Sequence, residues 1–182
     1  MRQHRYTKDL SNLCRKETIM MLAGVKVVEM GQNLAGPYGS QILADLGADV
    51  IKIERPSGDD ARSWGNKVTD NATTMFMTMN RNKKSVTIDM KSKEGRAHMR
   101  ALLANADILL HNMRPGSMEK LGLDPETVRA KWPRLIYCDI GAFGHMGPLK
   151  DQPGYEPLMQ AFGGLISING HPDGPVARVA VS

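Results

Sequence analysis

The sequence is poor in cysteine, poor in aromatic residues and free of long apolar runs. Its two cysteines, Cys14 and Cys138, are far apart and form no C-x-x-C pair. That excludes a disulfide scaffold and a zinc ribbon, and makes a reducing compartment the default. The five histidines (His4, His98, His111, His145, His171) show no metal-ligand spacing, so no metal is expected. Met20–Val25 is the longest plainly apolar stretch, well short of the ~18–20 residues a membrane-spanning helix needs. No G-x-x-x-x-G-K-S/T phosphate loop occurs, and no G-x-S-x-G nucleophile elbow. With aromatics at 5% against 13 methionines, the core is expected to be aliphatic and rich in thioether.

What remains is a globular composition, 41% apolar and 24% charged with a net charge of +5. The 182 residues suit one ordinary domain, or the first part of a larger one. Residues 1–19 differ from the rest of the chain: they are basic, yet contain Asp9 and Glu17 and no apolar h-region or small-residue cleavage site. They read as a disordered leader, or as sequence upstream of a natural start at Met20 or Met21.

From there the pattern alternates. Val25–Glu29 and Asp49–Glu54 are short β-branched runs. Between them Tyr38, Ile42, Leu43 and Leu46 are spaced as one helix face, with Pro37 suited to the first helical position and Gly47 to the stop. This βαβ unit forces parallel strands and a right-handed crossover. Ser85–Asp89 predicts a strand, Ser92 a helix cap before Met99, Leu102, Leu103 and Ala106, and Asp107–Leu110 a buried strand. Asp124 with Pro125 opens a short helix to about Lys131 and Leu135–Ile140 is another strand. A glycine-rich loop, Gly141–Gly147, comes next. A last helix begins near Glu156–Pro157, with Leu158, Met159, Phe162, Leu165 and Ile166 on one face. Repeated alternation predicts an α/β fold with a doubly wound, Rossmann-like, mostly parallel sheet.

Ligands of such sheets bind beyond the C-terminal strand ends. Here those are the loops Gly31–Pro37, Arg55–Asp59, Met90–Ser92, His111–Gly116 and Gly141–Gly147. Gly31, Gly36 and Gly39 suggest a dinucleotide turn, with Glu54 where a ribose-binding acid would sit. The first glycine comes too early, however, so the tight G-x-G turn is not encoded. Arg81-Asn82-Lys83-Lys84 reads either as a solvated loop guarding a strand edge or as part of a cationic surface. Interleaved aromatics are lacking, so no nucleic-acid partner is expected. Arg55, Lys91, Arg114 and Lys120 could instead gather a polyanionic small molecule, aided by helix N-termini.

Several segments carry a resemblance. L-A-G-V-K-V-V-E-M, L-A-G-P, L-G-A-D-V-I-K-I-E-R-P-S-G-D-D-A-R, N-R-N-K-K-S-V-T-I-D-M-K, A-D-I-L-L-H-N-M-R-P-G-S-M-E-K-L-G and P-G-Y-E-P-L-M-Q-A closely resemble the family III CoA-transferases. That group includes formyl-CoA and carnitine CoA-transferases and, more distantly, α-methylacyl-CoA racemase. The resemblance runs from Leu22 to the C-terminus and leaves residues 1–19 uncovered. It implies that residues 20–182 are the N-terminal part of a larger Rossmann-like domain, truncated before a second domain. It also implies coenzyme A as a substrate moiety rather than a tightly bound cofactor. Its adenine and phosphate contacts would fall on Leu34, Ala35, Arg55, Ile88, Asp89, Met90, Lys91, Asn112, Met113, Arg114 and Lys120.

The implied partners are an acyl-CoA, a carboxylic acid acceptor and a second copy in a homodimer, in the cytoplasm or the mitochondrial matrix. The implied chemistry is covalent. An aspartate attacks the thioester, giving a mixed anhydride and then an aspartyl–CoA thioester, before the acceptor collects CoA. That aspartate lies beyond a D-G-P-x-x-R-V-x-V-S stretch, here Asp173–Ser182, which puts it about three positions past Ser182. The chain alone is therefore expected to lack turnover, with Val176–Ser182 a strand about to enter the nucleophile turn. Glu156 matches a supporting active-site acid. Tyr155 stands where the racemases place a catalytic histidine, which favours transfer over racemisation. Gln32 lies on the loop that would face the acyl group. An inactive CoA-binding fragment or pseudo-enzyme, and a dinucleotide-binding module, are the rival readings.

Overall fold

A computed structural model describes residues 20–179. In chain order its elements are β1 (Lys26–Glu29), α1 (Ala35–Asp45), β2 (Asp49–Glu54), β3 (Lys67–Thr69), β4 (Ala72–Thr73), α2 (Thr74–Asn80) and β5 (Lys83–Thr87). Then come α3 (Lys93–Leu103), β6 (Ile108–His111), α4 (Ser117–Lys120), α5 (Pro125–Lys131), β7 (Ile136–Asp139) and α6 (Glu156–Phe162). Tight 3-10 turns form at Asp60–Ser63 and Leu165–Ile168. β5, β2, β1, β6 and β7 lie in that order in one sheet, every pair parallel, while β3 and β4 make a small antiparallel pair of their own. The expected leader, residues 1–19, lies outside the described residues.

Strand alternation divides the interior in two. Val28, Ile53 and Leu109 point to one face and pack with Met99, Leu103, Met118, Leu123 and Val128 from the α3–α5 side. Val27, Val50 and Leu110 point to the other and pack with Ala44 of α1 and with Ala48. Helices on both faces make the sheet doubly wound, as the alternation predicts. The buried Met30, Met99 and Met118 supply the expected thioether content. Local chemistry sets the boundaries: Ser92 accepts from Gly95 N–H (2.9 Å), Asp124 accepts from Thr127 N–H (2.8 Å), and Gly47 stops α1 at φ +101°.

Several expectations are corrected. The helix face of Tyr38, Ile42, Leu43 and Leu46 is not the buried one. α1 buries Pro37, Ser40, Gln41 and Ala44, leaving Tyr38 and Ile42 about half exposed. The reason is that the sheet beneath the start of α1 is charged rather than apolar, so small and polar side chains face it. Pro37 is the third residue of α1, where a missing N–H is as harmless as at the first. β5 begins and ends two residues before the expected Ser85–Asp89 because it runs in register with β2, Val50 opposite Lys83. α6 ends at Phe162, short of the expected Leu165 and Ile166; its Leu158 and Phe162 are exposed, as is Leu165 in the 3-10 turn that follows. Val176–Val179 forms no strand among the described residues. Its last backbone groups pair instead with the Gln160 side chain, Nε2 donating to Val179 O (2.8 Å) and Oε1 accepting from Val179 N–H (2.9 Å). Residues 180–182 lie outside the described residues.

Candidate functional site

Five parallel strands open their C-terminal ends onto one edge, and the loop from β1 into α1 lies over it. This loop is held by side chains rather than by secondary structure. Asn112, just past β6, accepts from Gln32 N–H (2.9 Å) and donates back to Gln32 O (3.0 Å). Asn33, in the left-handed region at φ 62°, donates its N–H to Asp59 Oδ1 (3.0 Å). Lys52 Nζ reaches Gly31 O (2.9 Å), Glu29 Oε1 (3.1 Å) and Asp59 Oδ2 (2.8 Å) from β2. Gly36 is needed for the close approach: a Cβ there would lie 2.7 Å from Asn112 Oδ1. α1 then opens with no side-chain cap and no acid in its first turn, so its N-terminal N–H groups face the edge unneutralised.

Glu54 is not available to a ribose. It accepts from Arg62 Nε (2.7 Å) and Nη2 (2.6 Å), from Ser85 Oγ (2.5 Å) and from Asp59 N–H (3.0 Å). Burial by itself would raise its pKa, but these donors hold the carboxyl down at about 2. Arg62 in turn lies 3.7 Å over the Phe76 ring. With its acceptor oxygens satisfied and its glycines spaced wrongly, the dinucleotide reading loses its acid. The basic run is also internal in part. Arg81 pairs with Asp45 (2.5 Å), Lys84 with Asp49 (2.7 Å), and the buried Lys83 with Glu29 (3.2 Å) and Pro37 O (2.7 Å). It clamps β5 to α1 and offers little free charge.

The residues singled out from sequence fall on several loops. Gln32 and Leu34 lie on the β1–α1 loop and Ala35 opens α1, while Asn112, Met113 and Arg114 lie on the neighbouring β6 loop. Arg114 Nη2 donates to Tyr155 Oη (2.7 Å), so the β6 loop meets Gln32 through Asn112 and Tyr155 through Arg114. Glu156, next to Tyr155, takes Arg178 Nη1 on one oxygen (3.2 Å) and the Gln160 amide on the other. Arg55 pairs with Asp60 and donates to Gly58 O (3.0 Å). Lys91 and Lys120 are exposed and have no ion pair among the described residues. Ile88 has its side chain in the core and its N–H bound to Glu54 O, so neither group is open to a ligand. Asp89 caps its own loop through Lys91 N–H (2.9 Å), and Met90 packs against the α3-side core. β5 is the outer strand, three strand spacings or about 14 Å from β6, so these contacts suit an extended ligand rather than a compact one.

Sequence reasoning missed Lys52, Asp59 and His111. His111 is buried, and its tautomer is set by its partners. Tyr137 Oη donates to Leu123 O (3.0 Å) and so accepts from His111 Nε2 (2.8 Å), leaving Nδ1 to accept Met113 N–H (3.3 Å). Burial lowers its pKa and keeps the ring neutral. The ring thereby fixes the start of the loop that carries Arg114. An Ile-Lys-Ile alternation inside a doubly covered strand was the available signal for Lys52.

An all-parallel sheet with helices on both faces and a cation-bearing, glycine-containing C-terminal edge defines a doubly wound α/β protein. Comparison with known proteins gives the particular family. The model of CoA-transferase family III matches residues 22–182, and the chain belongs to that family. It is 41% identical over 168 residues to the succinate–glutarate CoA-transferase of Agrobacterium fabrum, covering 88% of this chain and 42% of that protein. It is 41% identical over 157 residues to the acetyl-CoA:oxalate CoA-transferase of Acetobacter aceti, covering 86% and 40%. The crystal structure of a CAIB/BAIF family protein from Brucella suis superposes with a TM-score of 0.84 at 43% identity, over 89% of this chain and 44% of that one. The chain thus spans about two fifths of the length of these relatives. No helix among the described residues is long and apolar enough to cross a membrane.

Proposed function

We propose that this chain carries the CoA-binding part of a transferase that moves CoA from an acyl-CoA to a carboxylic acid. The observation that carries the reading is the strand-end edge itself. Arg55, Lys91, Arg114 and Lys120 stand on its loops or just beyond, on the segments shared with the family. Leu34 and Ala35 offer backbone N–H groups at the uncapped start of α1 to a phosphate or a thioester oxygen. In the proposed reaction a carboxylate attacks the thioester carbon and expels CoA thiolate, leaving a mixed anhydride. The thiolate returns to the enzyme carboxylate's carbonyl, releases the donor acid, and the acceptor acid then repeats the exchange. Glu156, fixed by Arg178, is the supporting acid. Gln32 faces the acyl group and Tyr155 orients Arg114. A homodimer in the cytoplasm or the mitochondrial matrix is part of the same proposal.

Calorimetry with CoA and with NADH tests the ligand class: heat from CoA and none from NADH is expected. Arg55→Ala and Lys120→Ala test its orientation. If either cation meets the 3′-phosphate, CoA loses about one to two decades of affinity and dephospho-CoA much less. NADH binding without CoA binding overturns the proposal.

A further inference from the structure

We propose that Lys52 is a positioning residue for the ligand edge: its buried ammonium sets the β1–α1 loop and the loop after β2 in one register. Lys52 is 1% exposed, and its side chain meets three oxygens, on Glu29, Gly31 and Asp59. The contacts to Glu29 and Gly31 are hydrogen bonds, and the contact to Asp59 Oδ2 at 2.8 Å is an ion pair. Each partner belongs to a different piece of the edge. Glu29 ends β1, Gly31 opens the β1–α1 loop, and Asp59 closes the loop that begins at Arg55. Asp59 passes the constraint on, because its other oxygen accepts from Asn33 N–H (3.0 Å) and Ala61 N–H (2.9 Å). Asn33 sits at φ 62°, a conformation a non-glycine residue keeps only when its surroundings hold it. Gly31 O, Gln32 N–H, Gln32 O and Asn33 N–H are thus held in sequence by side chains of Lys52, Asn112 and Asp59.

An apolar side chain of equal volume at position 52 would fill the space, but removing one partner of a buried ion pair also destabilises the fold, because the carboxylates stay buried, so the readout is the loop measured relative to the sheet. The substitution would leave Gly31 O and the Asp59 carboxylate without their cation. The loop carrying Gln32 and Leu34 and leading into Ala35 would then lose its register against Arg55. The ligand arm of the test rests on the proposed CoA site; the loop arm does not.

The test compares Lys52→Met and Asp59→Asn with the unsubstituted 182-residue chain, by amide hydrogen exchange and by CoA calorimetry. In Lys52→Met the Gln32 and Asn33 amides should exchange about tenfold faster relative to the sheet amides of Val27 and Leu109, and CoA should bind about tenfold more weakly. Asp59→Asn keeps an oxygen for Asn33 N–H and should show the same changes at smaller size. It decides the matter if Lys52→Met does not fold. Unchanged exchange at Gln32 and Asn33 overturns the proposal, and so does an equal acceleration across the whole sheet, which marks a general stability role. A loosened loop with unaltered CoA affinity overturns it too. Absence of CoA binding by the unsubstituted chain overturns the CoA reading instead, while the exchange result still decides whether Lys52 holds the loop.

Discussion

On the face covered by α3–α5, the strands present Val28, Ile53 and Leu109 to Met99, Leu103 and Met118. On the face covered by α1, the same strands present Val27 and Val50 at one end. Toward the ligand edge they present Glu29, Lys52 and Glu54, with Lys83 reaching in from β5. The first face is held by area removed from water, which has no direction. The second holds paired charges whose desolvation is costly and whose net stabilisation is small. What the charged layer adds is geometry: Lys52 reaches Gly31 O and Asp59 on the edge loops, and Glu54 accepts from Asp59 N–H. Stability and site shape are thus assigned to different faces, and substitutions can separate them.

The largest effect is expected on the apolar face. Met99→Ala empties a fully buried site and should lower unfolding free energy by about 2–5 kcal/mol in urea titration. The CoA affinity of the fraction that remains folded should be unchanged. A matching loss of affinity would erase the distinction between the faces.

Next comes Arg62→Met on the charged side. It leaves Glu54 with Ser85 and Asp59 N–H only and removes the stacking on Phe76, for a loss of about 1–3 kcal/mol. The effect should depend on pH. Glu54 is held at about 2, below its ordinary 4.5, so its contribution is complete above pH 4.5 and fades as pH falls from there toward 2. Unfolding midpoints measured from pH 2.5 to 6 should fall steeply in the parent chain and less steeply in Arg62→Met. Parallel curves would mean Arg62 does not hold that proton off.

Asn112→Ala should act in the opposite sense. Its two bonds to Gln32 fix a loop at the surface, so stability should drop by less than about 1.5 kcal/mol while CoA affinity falls roughly tenfold. Calorimetry beside thermal melting separates the two.

The contrast between the faces also explains what could be read in the sequence. β2 falls on the expected Asp49–Glu54, and Ser92 and Asp124 cap the helices assigned to them, because those signals are local. The α3 stripe is correct at Met99 and Leu103 because the surface opposite is apolar. The α1 stripe is wrong because helical periodicity assumes an apolar partner, and Glu29, Lys52 and Lys83 lie there instead. The β3–β4 pair and α2 give no such signal: the run T-T-M-F-M-T-M-N is apolar on no single face. For the site, the strand-end loops were legible from topology. Their internal fastening was not, since Lys52, Asp59 and Asn112 meet only after β1, β2 and β6 are laid side by side.

A pH effect of the opposite sign belongs to Lys83, the second cation of the charged layer. Burial lowers its pKa to about 8; Glu29 pulls it up and Lys52 pushes it down further. In the unfolded chain it returns to its ordinary 10.5. Below pH 8 both states carry the proton, and the cost of burying this ammonium is present in full. Between pH 8 and 10.5 the unfolded chain binds more proton than the folded one, so this group makes stability rise with pH across that window. Other lysines and the tyrosines titrate there as well, so the informative quantity is the difference between the parent chain and Lys83→Met. Urea midpoints taken from pH 7 to 10.5 should show a parent curve that gains on the variant as pH rises, because only the parent sheds the cost. The carbonyl of Pro37 and the amide oxygen of Asn80 accept equally well from a neutral amine, so the hydrogen bonds to α1 and α2 survive deprotonation. A difference curve that is flat, or that falls with pH, would mean Glu29 outweighs burial at this site. The charged face would then be stabilising in its own right rather than a device for placing loops.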